Sequence, residues 1–359
     1  MAVDSHLDFT LALARAAAGG DACFSPYSAA SALGLAALAA RGRTAEELRR
    51  VLTRGGDFDV HAAVLRGAAE PADDALLAVA NTLWASDEIT VEGAFLAELV
   101  SWPGGKAETA PFATDPERAR ELINTDVVRT THGLIPELLK PGAVDTDTRA
   151  SLVNALYLKT AWRTPFSERL TAPAEFHSPG GARRVPAMRL EHTLGYHHTD
   201  GWQVVTLPAH GGVEAVVLLP DGDLGSAETA LDAPHLGALL AKRDRRKLAL
   251  TLPKIKLDVR TDLDGALQTL GVRELFTPDA DLTGLTGHRP LWVDSVVHQA
   301  VLRLDEQGFE GAAATAVQMR TMAMTTSDPL EVRVDRPFLL LVRHAETGAV
   351  YFFARVVRP

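Results

Sequence analysis

The chain has a single cysteine, Cys23, in 359 residues. That excludes an internal disulfide and implies no secretory redox history. Its neighbours Ala22 and Phe24 predict a buried thiol rather than a catalytic one. Basic residues are in deficit, 36 Lys and Arg against 46 Asp and Glu, for a formal net charge of −10. Such a balance argues against nucleic acid or another polyanion as a partner. No apolar run is long enough to span a membrane, and no repeat or low-complexity linker divides the sequence. The first residues, MAVDSHLDFT, lack a basic region followed by an apolar run, so no signal peptide is read there. The expectation is a cytoplasmic location if the chain is complete, and secretion if a leader has been removed. Enzyme signatures are missing too. His210-Gly211-Gly212 has no G-x-S-x-G elbow to accompany it, which removes a serine hydrolase. His192, His197, His198 and Asp200 lack the helical His/Glu spacing of zinc proteases. No catalytic residue, metal ligand or cofactor is assigned.

What is present is a large apolar content, 47% of residues, ample for an extensive core. Residues 27–40 are rich in Ala and Leu on all sides, the pattern of a helix buried beneath a sheet. Thr44 followed by Glu47 reads as a capping box opening the next helix. Thr114-Asp115-Pro116 starts another, which His132-Gly133 closes. From Ser151 onward strands dominate: SLVNALYLK, EAVVLLP, KLALTLP, LEVRV, FLLLV and VYFFARVV, with a short helix from Leu263 to Leu270 among them. Several are apolar on both faces, as strands covered on both sides must be. Helices first and strands afterwards, without regular alternation, give an α+β class.

Between Glu306 and Met322 lies EQGFEGAAATAVQMRTM. One alternate set of side chains is Phe309, Gly311, Ala313, Thr315, Val317 and Met319; the other is Glu310, Ala312, Ala314, Ala316, Gln318 and Arg320. Successive strand residues face opposite ways, so the first set could be buried and the second left near water. Nothing anchors the segment as an ordinary strand, because it starts at a flexible Gly308 and runs into MAMTTSDP. It reads as an exposed loop and as a strand without a sheet. Alanine's helix propensity favours a surface helix instead; position in the chain decides against it.

That position resembles a known family. VDSVVHQAVLRLDEQG (Val293 to Gly308) and DRPFLLLVRH (Asp335 to His344) are similar to the strands flanking the reactive loop of serpins. FSPYSAASALGLAALAARGRTAEEL, NTLWAS, INTDVVRTTHGLIPELL, LVNALYLKTAWRTPF, LLPDG, LTLPKIKL, ADLTGLT and YFFARVVRP follow the family's order over the whole length. The chain is identified as a member, most similar to bacterial ones. The resemblance implies the serpin fold, with a large central β-sheet, further sheets, about eight or nine peripheral helices and an exposed reactive loop. It implies one domain over 1–359: a helix-rich part over 1–75, a mixed sheet region over 76–359, and the loop over 306–329.

The function so implied is suicide inhibition of a serine protease. The protease attacks the loop and forms an acyl-enzyme ester, and the freed segment inserts into the central sheet as a new strand. Burying Phe309, Val317 and Met319 favours insertion by roughly 1.5–3 kcal/mol each. Counting on from Glu306 as in the family places the cut at Met322–Ala323, with Arg320 and Met324 as alternative scissile residues. Methionine there implies a chymotrypsin-like, elastase-like or subtilisin-like target. The hinge comprises Glu306, Gly308, Phe309, Gly311, Ala312, Ala313 and Ala314, and its small residues ease entry between parting strands. Phe309 departs from the Thr or Ser usual at its position and is expected to slow the first step. Ser25, Ser28, Asn154 and His298 match the family's polar group under the sheet, and Trp162 matches the tryptophan where the hinge enters. The region DVHAAVLRGAAEPADDALL is acidic where many members carry a basic heparin helix, so heparin is not an expected partner. The expected state is a monomer bound covalently by its target. The alternative is a noninhibitory serpin, a carrier or chaperone, with Phe309 blocking rapid insertion.

Overall fold

The stretch after Ser25, apolar on every face but for Ser28 and Ser31, has little to offer water as a helix, so it has to lie at the centre of the molecule. In the computed structural model, which describes residues 2–16, 20–70, 75–242, 244–287, 289–309 and 328–359, it does. The Ser25 side chain caps it, accepting the Ser28 N–H at 3.0 Å, and Pro26 occupies the first turn.

In chain order the helices are α1 Ala2–Ala16, α2 Pro26–Ala39, α3 Gly42–Thr53, α4 Phe58–Gly67, α5 Gly93–Leu99, α6 Pro116–Thr130, α7 Leu224–Ala230, α8 Ala233–Ala241 and α9 Leu263–Leu270. The strands are β1 Ala22–Phe24, β2 Leu76–Ser86, β3 Gly105–Ala110, β4 Ala150–Ala161, β5 Ala172–Ser178, β6 Gly181–Thr199, β7 Trp202–Pro208, β8 Val213–Pro220, β9 Arg245–Pro253, β10 Ile255–Asp262, β11 Ser295–Leu304, β12 Gly308–Phe309, β13 Leu330–Arg333, β14 Phe338–His344 and β15 Val350–Val356.

Two sheets result. A six-stranded sheet runs β10-β11-β12-β4-β2-β3, with β11 and β4 also pairing directly. A nine-stranded sheet runs β1-β15-β14-β8-β7-β6-β9-β13, with β5 on β6. Helix α2 packs against β15 on one side and against β2 and β4 on the other, so it joins the two sheets. The opposite face of the six-stranded sheet is covered by α6, where Val153, Ala155, Val297 and Val301 meet Ile123 and Val127. This double cover explains why LVNAL and VVHQAV carry apolar residues at nearly every position.

Most of the predicted elements are where the sequence puts them. Asp115 caps α6 by accepting the Arg118 N–H at 3.0 Å, and His132 and Gly133 end it at φ 51° and 80°. The capping box at Thr44 and Glu47 is not formed. Helix α3 starts earlier, with Arg41 at the cap position and no side-chain cap. Thr44 instead hydrogen-bonds Glu274 at 2.9 Å, and Glu47 accepts the Arg273 and Glu274 N–H groups at 2.8 and 2.9 Å. A distant turn with unpaired donors outcompeted the local motif. Cys23 is fully buried, and burial pushes its thiol well above the ordinary range. Among the described residues no helix is long and apolar enough to cross a membrane.

Candidate functional site

Strands β4 and β11 run parallel, and they touch along only part of their length. Ser295 to Gln299 pair with Ser151 to Ala155, which sets His298 directly opposite Asn154. Beyond that stretch the two strands part, and the two-residue β12 lies between them, antiparallel to both. Phe309 stands opposite Leu304 of β11 and Thr160 of β4, and Gly308 opposite Ala161. A slot open at one end and closed at the other is therefore built into the sheet. Because β4 and β11 still pair below β12, no full-length strand separates them.

The entrance is held by side chains that sequence reading named only in part. Glu306 is almost fully buried and accepts Lys254 Nζ at 2.7 Å and the Thr171 hydroxyl at 2.6 Å. Burial works against its charge, yet those two bonds outweigh it and hold the carboxyl below the ordinary range. Asp305 accepts the N–H groups of Gln307 and Gly308 at 2.9 and 3.3 Å, while its carbonyl accepts Trp162 Nε1 at 2.9 Å. Trp162 and Phe166 return backbone N–H groups to the carbonyls of Gln307 and Glu306, each at 2.9 Å. Gly308 sits at φ 149°, and a Cβ there would run into the Thr160 carbonyl oxygen. Glycine is required for so close an approach.

Phe309 is 1% exposed, its ring 4.8 Å from that of Trp162, which in turn meets Phe166 edge-on at 6.3 Å. This seat is the setting for the expectation that Phe309 slows the first step. Phe309 is already past the entrance, seated in an aromatic cage where a Thr or Ser would bury less apolar surface.

Beneath the slot a chain of polar groups crosses the sheet. His298 Nε2 accepts the Ser25 N–H at 3.0 Å, so Nδ1 carries the proton and donates to Asn154 Oδ1 at 2.5 Å. The Asn154 amide donates to the Ser28 carbonyl at 2.8 Å, to the Ser28 hydroxyl at 2.6 Å and to Asn81 Oδ1. Asn81 passes the chain on to the Pro103 carbonyl at 2.8 Å. Ser25, Ser28, Asn81, Asn154 and His298 are all fully buried, and burial lowers the His298 imidazole to about 4, so the ring is neutral. The structure thus brings together Ser25, Ser28, Asn154 and His298 in one hydrogen-bonded chain, and places Trp162 at the entrance. Asn81, Lys254 and Thr171 were missed. Asn81 sits inside the NTLWAS segment, where an Asn in an otherwise apolar strand was the available signal.

The remaining hinge and scissile positions, Gly311, Ala312, Ala313, Ala314, Arg320, Met322, Ala323 and Met324, lie outside the described residues. The histidines set aside above form no metal cluster among the described residues. His198 pairs with Asp221 at 2.8 Å. His210 begins a turn that ties off the end of β4, giving its N–H to Ala161 at 2.9 Å and accepting from Thr160 at 3.1 Å.

Comparison with known proteins is consistent along the whole chain. The family model described as "Serpin (serine protease inhibitor)" matches residues 4–359. Iripin-8 of Ixodes ricinus is 32% identical over 348 residues, covering 92% of this chain and 86% of that protein. A serine protease inhibitor of Rattus norvegicus is 34% identical over 351 residues, covering 94% of this chain and 82% of that protein. The structure of uncleaved ovalbumin superposes with a TM-score of 0.89 at 25% identity, covering 99% of both chains.

Proposed function

The chain belongs to the serpin family, a family of protease inhibitors rather than enzymes, and from that premise we propose that it is a suicide inhibitor of chymotrypsin-like, elastase-like or subtilisin-like serine proteases. The observation that carries the reading is β12. Gly308 and Phe309 already extend between β4 and β11, at the open end of a slot whose closed end is sealed by the direct β4–β11 pairing and the Asn154–His298 bond. After cleavage beyond the hinge, each further residue adds ladder bonds on both sides and displaces direct β4–β11 pairing. Phe309 has its place in the inserted strand before the reaction starts, so insertion has only to extend a strand already begun. The protease follows as cargo, because its acyl ester is the end of the inserting segment. The intact fold must then be held by a barrier rather than by being the most stable state.

Mixing with chymotrypsin, trypsin and subtilisin, read on a denaturing gel with the mass of the released peptide, tests this directly. A band at the summed mass and a peptide starting at Ala323 are expected, with trypsin giving an adduct only if Arg320 is the cut. Clean cleavage without an adduct would leave the second reading, a noninhibitory serpin, which the Phe309–Trp162 cage favours if it grips the hinge too tightly for extension.

A further inference from the structure

Where α1 meets α4, two histidines are left without the bonds that burial calls for. His6 of α1 and His61 of α4 are both fully buried, their ring centres 5.5 Å apart and their planes at 57°. Nε2 of His6 accepts the Val350 N–H at 3.0 Å, so the proton of the neutral ring sits on Nδ1. That N–H has no acceptor, and neither nitrogen of His61 has a partner, among the described residues. Buried polar side chains are ordinarily hydrogen-bonded. His6 serves Val350, but nothing in the packing asks for an imidazole at position 61.

No neighbour compensates a charge on either ring. On α4, Asp57 caps the helix by accepting the Asp59 and Val60 N–H groups at 2.8 and 3.1 Å, and Arg66 lies over Trp102. On α3, Arg49 lies over the Phe58 ring and Arg50 reaches the Gly271 carbonyl. Asp4 of α1 lies beside Gly237 of α8, where His235 faces Asp200 at 3.9 Å. Asp264 of α9 accepts the Val296 N–H at 2.6 Å. Tyr351 of β15 gives its hydroxyl to the Ala68 carbonyl at 2.7 Å and stands edge-on to Tyr27 of α2. In the turn between β14 and β15, Glu346 acts on His344. The only charge that acts on His6 is one on His61, and burial alone acts on His61.

Of the two helices α4 is the more lightly held. It buries only His61, Ala62, Val64 and Leu65, whereas α1 buries Leu7, Phe9, Leu11 and Leu13 besides His6. Separation therefore takes the form of α4 lifting away while α1 stays in the core. We propose that the His6–His61 pair is an acid-sensitive latch, in which protonation of both rings drives α4 off α1 while the two sheets stay folded. In the closed state burial lowers His61 to about 4, and burial together with the neighbouring ring lowers His6 to about 3. Once α4 lifts, both rings reach water and return to 6.5. The open form thus takes up two protons that the closed form refuses. Opening is favoured as pH falls below about 6.5 and levels off only near the closed-state values. Because two rings share one release, the open fraction grows about thirtyfold from about pH 6.5 to 5.5, against about fivefold for one ring. The latch stands apart from protease inhibition and uses no residue of the slot.

Deuterium exchange of the whole chain from about pH 7 to 5, expressed as protection so that intrinsic exchange chemistry cancels, tests the latch. The α4 amides are expected to lose protection about thirtyfold between about pH 6.5 and 5.5, while those of β8 keep theirs. His61→Leu and His6→Gln should each cut the α4 loss to about fivefold, and the two together should abolish it. An equal loss in β8 would mean global unfolding, and a wild-type loss of about fivefold or less would mean that the rings do not act together. Either result overturns the proposal, as does a variant that keeps the wild-type steepness. The wild-type profile needs no substitution, so a variant that fails to fold leaves the test in force.

Discussion

At the scale of single residues, Gly308 and Asn154 are the positions with least tolerance. Replacing Gly308 by Ala puts a Cβ into the Thr160 carbonyl at a φ of 149°, so β12 must leave the sheet and Phe309 must leave its cage. A cost of roughly 1–3 kcal/mol is expected from the strained backbone alone. Gly308→Ala should therefore lower the thermal midpoint by several degrees and shift the Trp162 emission to the red; a variant with both unchanged would show that β12 is not part of the folded sheet. Asn154→Ala leaves the His298 Nδ1–H and Asn81 Oδ1 buried without partners, a loss of about 1–3 kcal/mol for each such group. Its midpoint should fall further than that of Gly308→Ala. A synthetic peptide of the hinge sequence should anneal into it faster than into the wild type, and annealing at the wild-type rate would mean that these bonds do not gate the slot.

At the scale of elements, the decisive feature is a pair of parallel strands joined over only part of their length. Gln299 and Ala155 end the direct pairing on the slot side, and β12 occupies the slot further along. Under the proposed function, extension of β12 would proceed residue by residue from Phe309, so a side chain too large to pass between β4 and β11 would stop it early. Gly311→Arg should convert the protein from inhibitor to substrate, with the number of molecules consumed per protease inactivated rising by about tenfold or more while cleavage continues. An unchanged stoichiometry would rule out insertion as the source of inhibition. Lys254→Met tests the hinge foot: Glu306 would keep its burial but lose its cation, its carboxyl should rise, and the hinge should detach more readily. Limited proteolysis near Glu306 at least about fivefold faster than in the wild type is expected.

At the scale of the whole molecule, the three most deeply buried of the five buried imidazoles among the described residues dominate the acid limit. His298 is lowered to about 4 and His61 to about 4 by burial, and His6 to about 3 by burial and by the neighbouring His61 ring 5.5 Å away. Both nitrogens of His61 and Nδ1 of His6 lack hydrogen-bond partners among the described residues. Each ring would titrate at 6.5 in the unfolded chain, so below that value the unfolded state binds more protons than the native one. Stability is therefore full above about pH 6.5 and is lost as pH falls toward 4, on the order of 3 kcal/mol for each imidazole by that point. Thermal midpoints should be flat from about pH 8 to 7 and fall steeply below about 6. His61→Leu should flatten that fall, and a profile identical to the wild type would mean that His61 is not neutral in the native state.

The sequence by itself determined the elements and their order. Patterning along α2, the cap at Asp115 and the doubly apolar β4 and β11 are local or one-dimensional signals, and they predicted helices and strands close to their observed bounds. Ser25, Ser28, Asn154, His298 and Trp162 were legible through the family resemblance, because the segments that carry them match its motifs. What only the tertiary structure decided was the set of partners. Thr44 and Glu47 made a plausible local cap until Glu274 and its neighbours, far away in the chain, offered better bonds. Lys254 and Thr171 look like ordinary surface residues in sequence, and only the fold carries them to Glu306. Phe309 read as a departure at the hinge, and only the fold shows Trp162 and Phe166 gathered around it. Hydrogen bonds and cavities depend on atoms brought together across long loops, and that juxtaposition is not written in any window of the sequence.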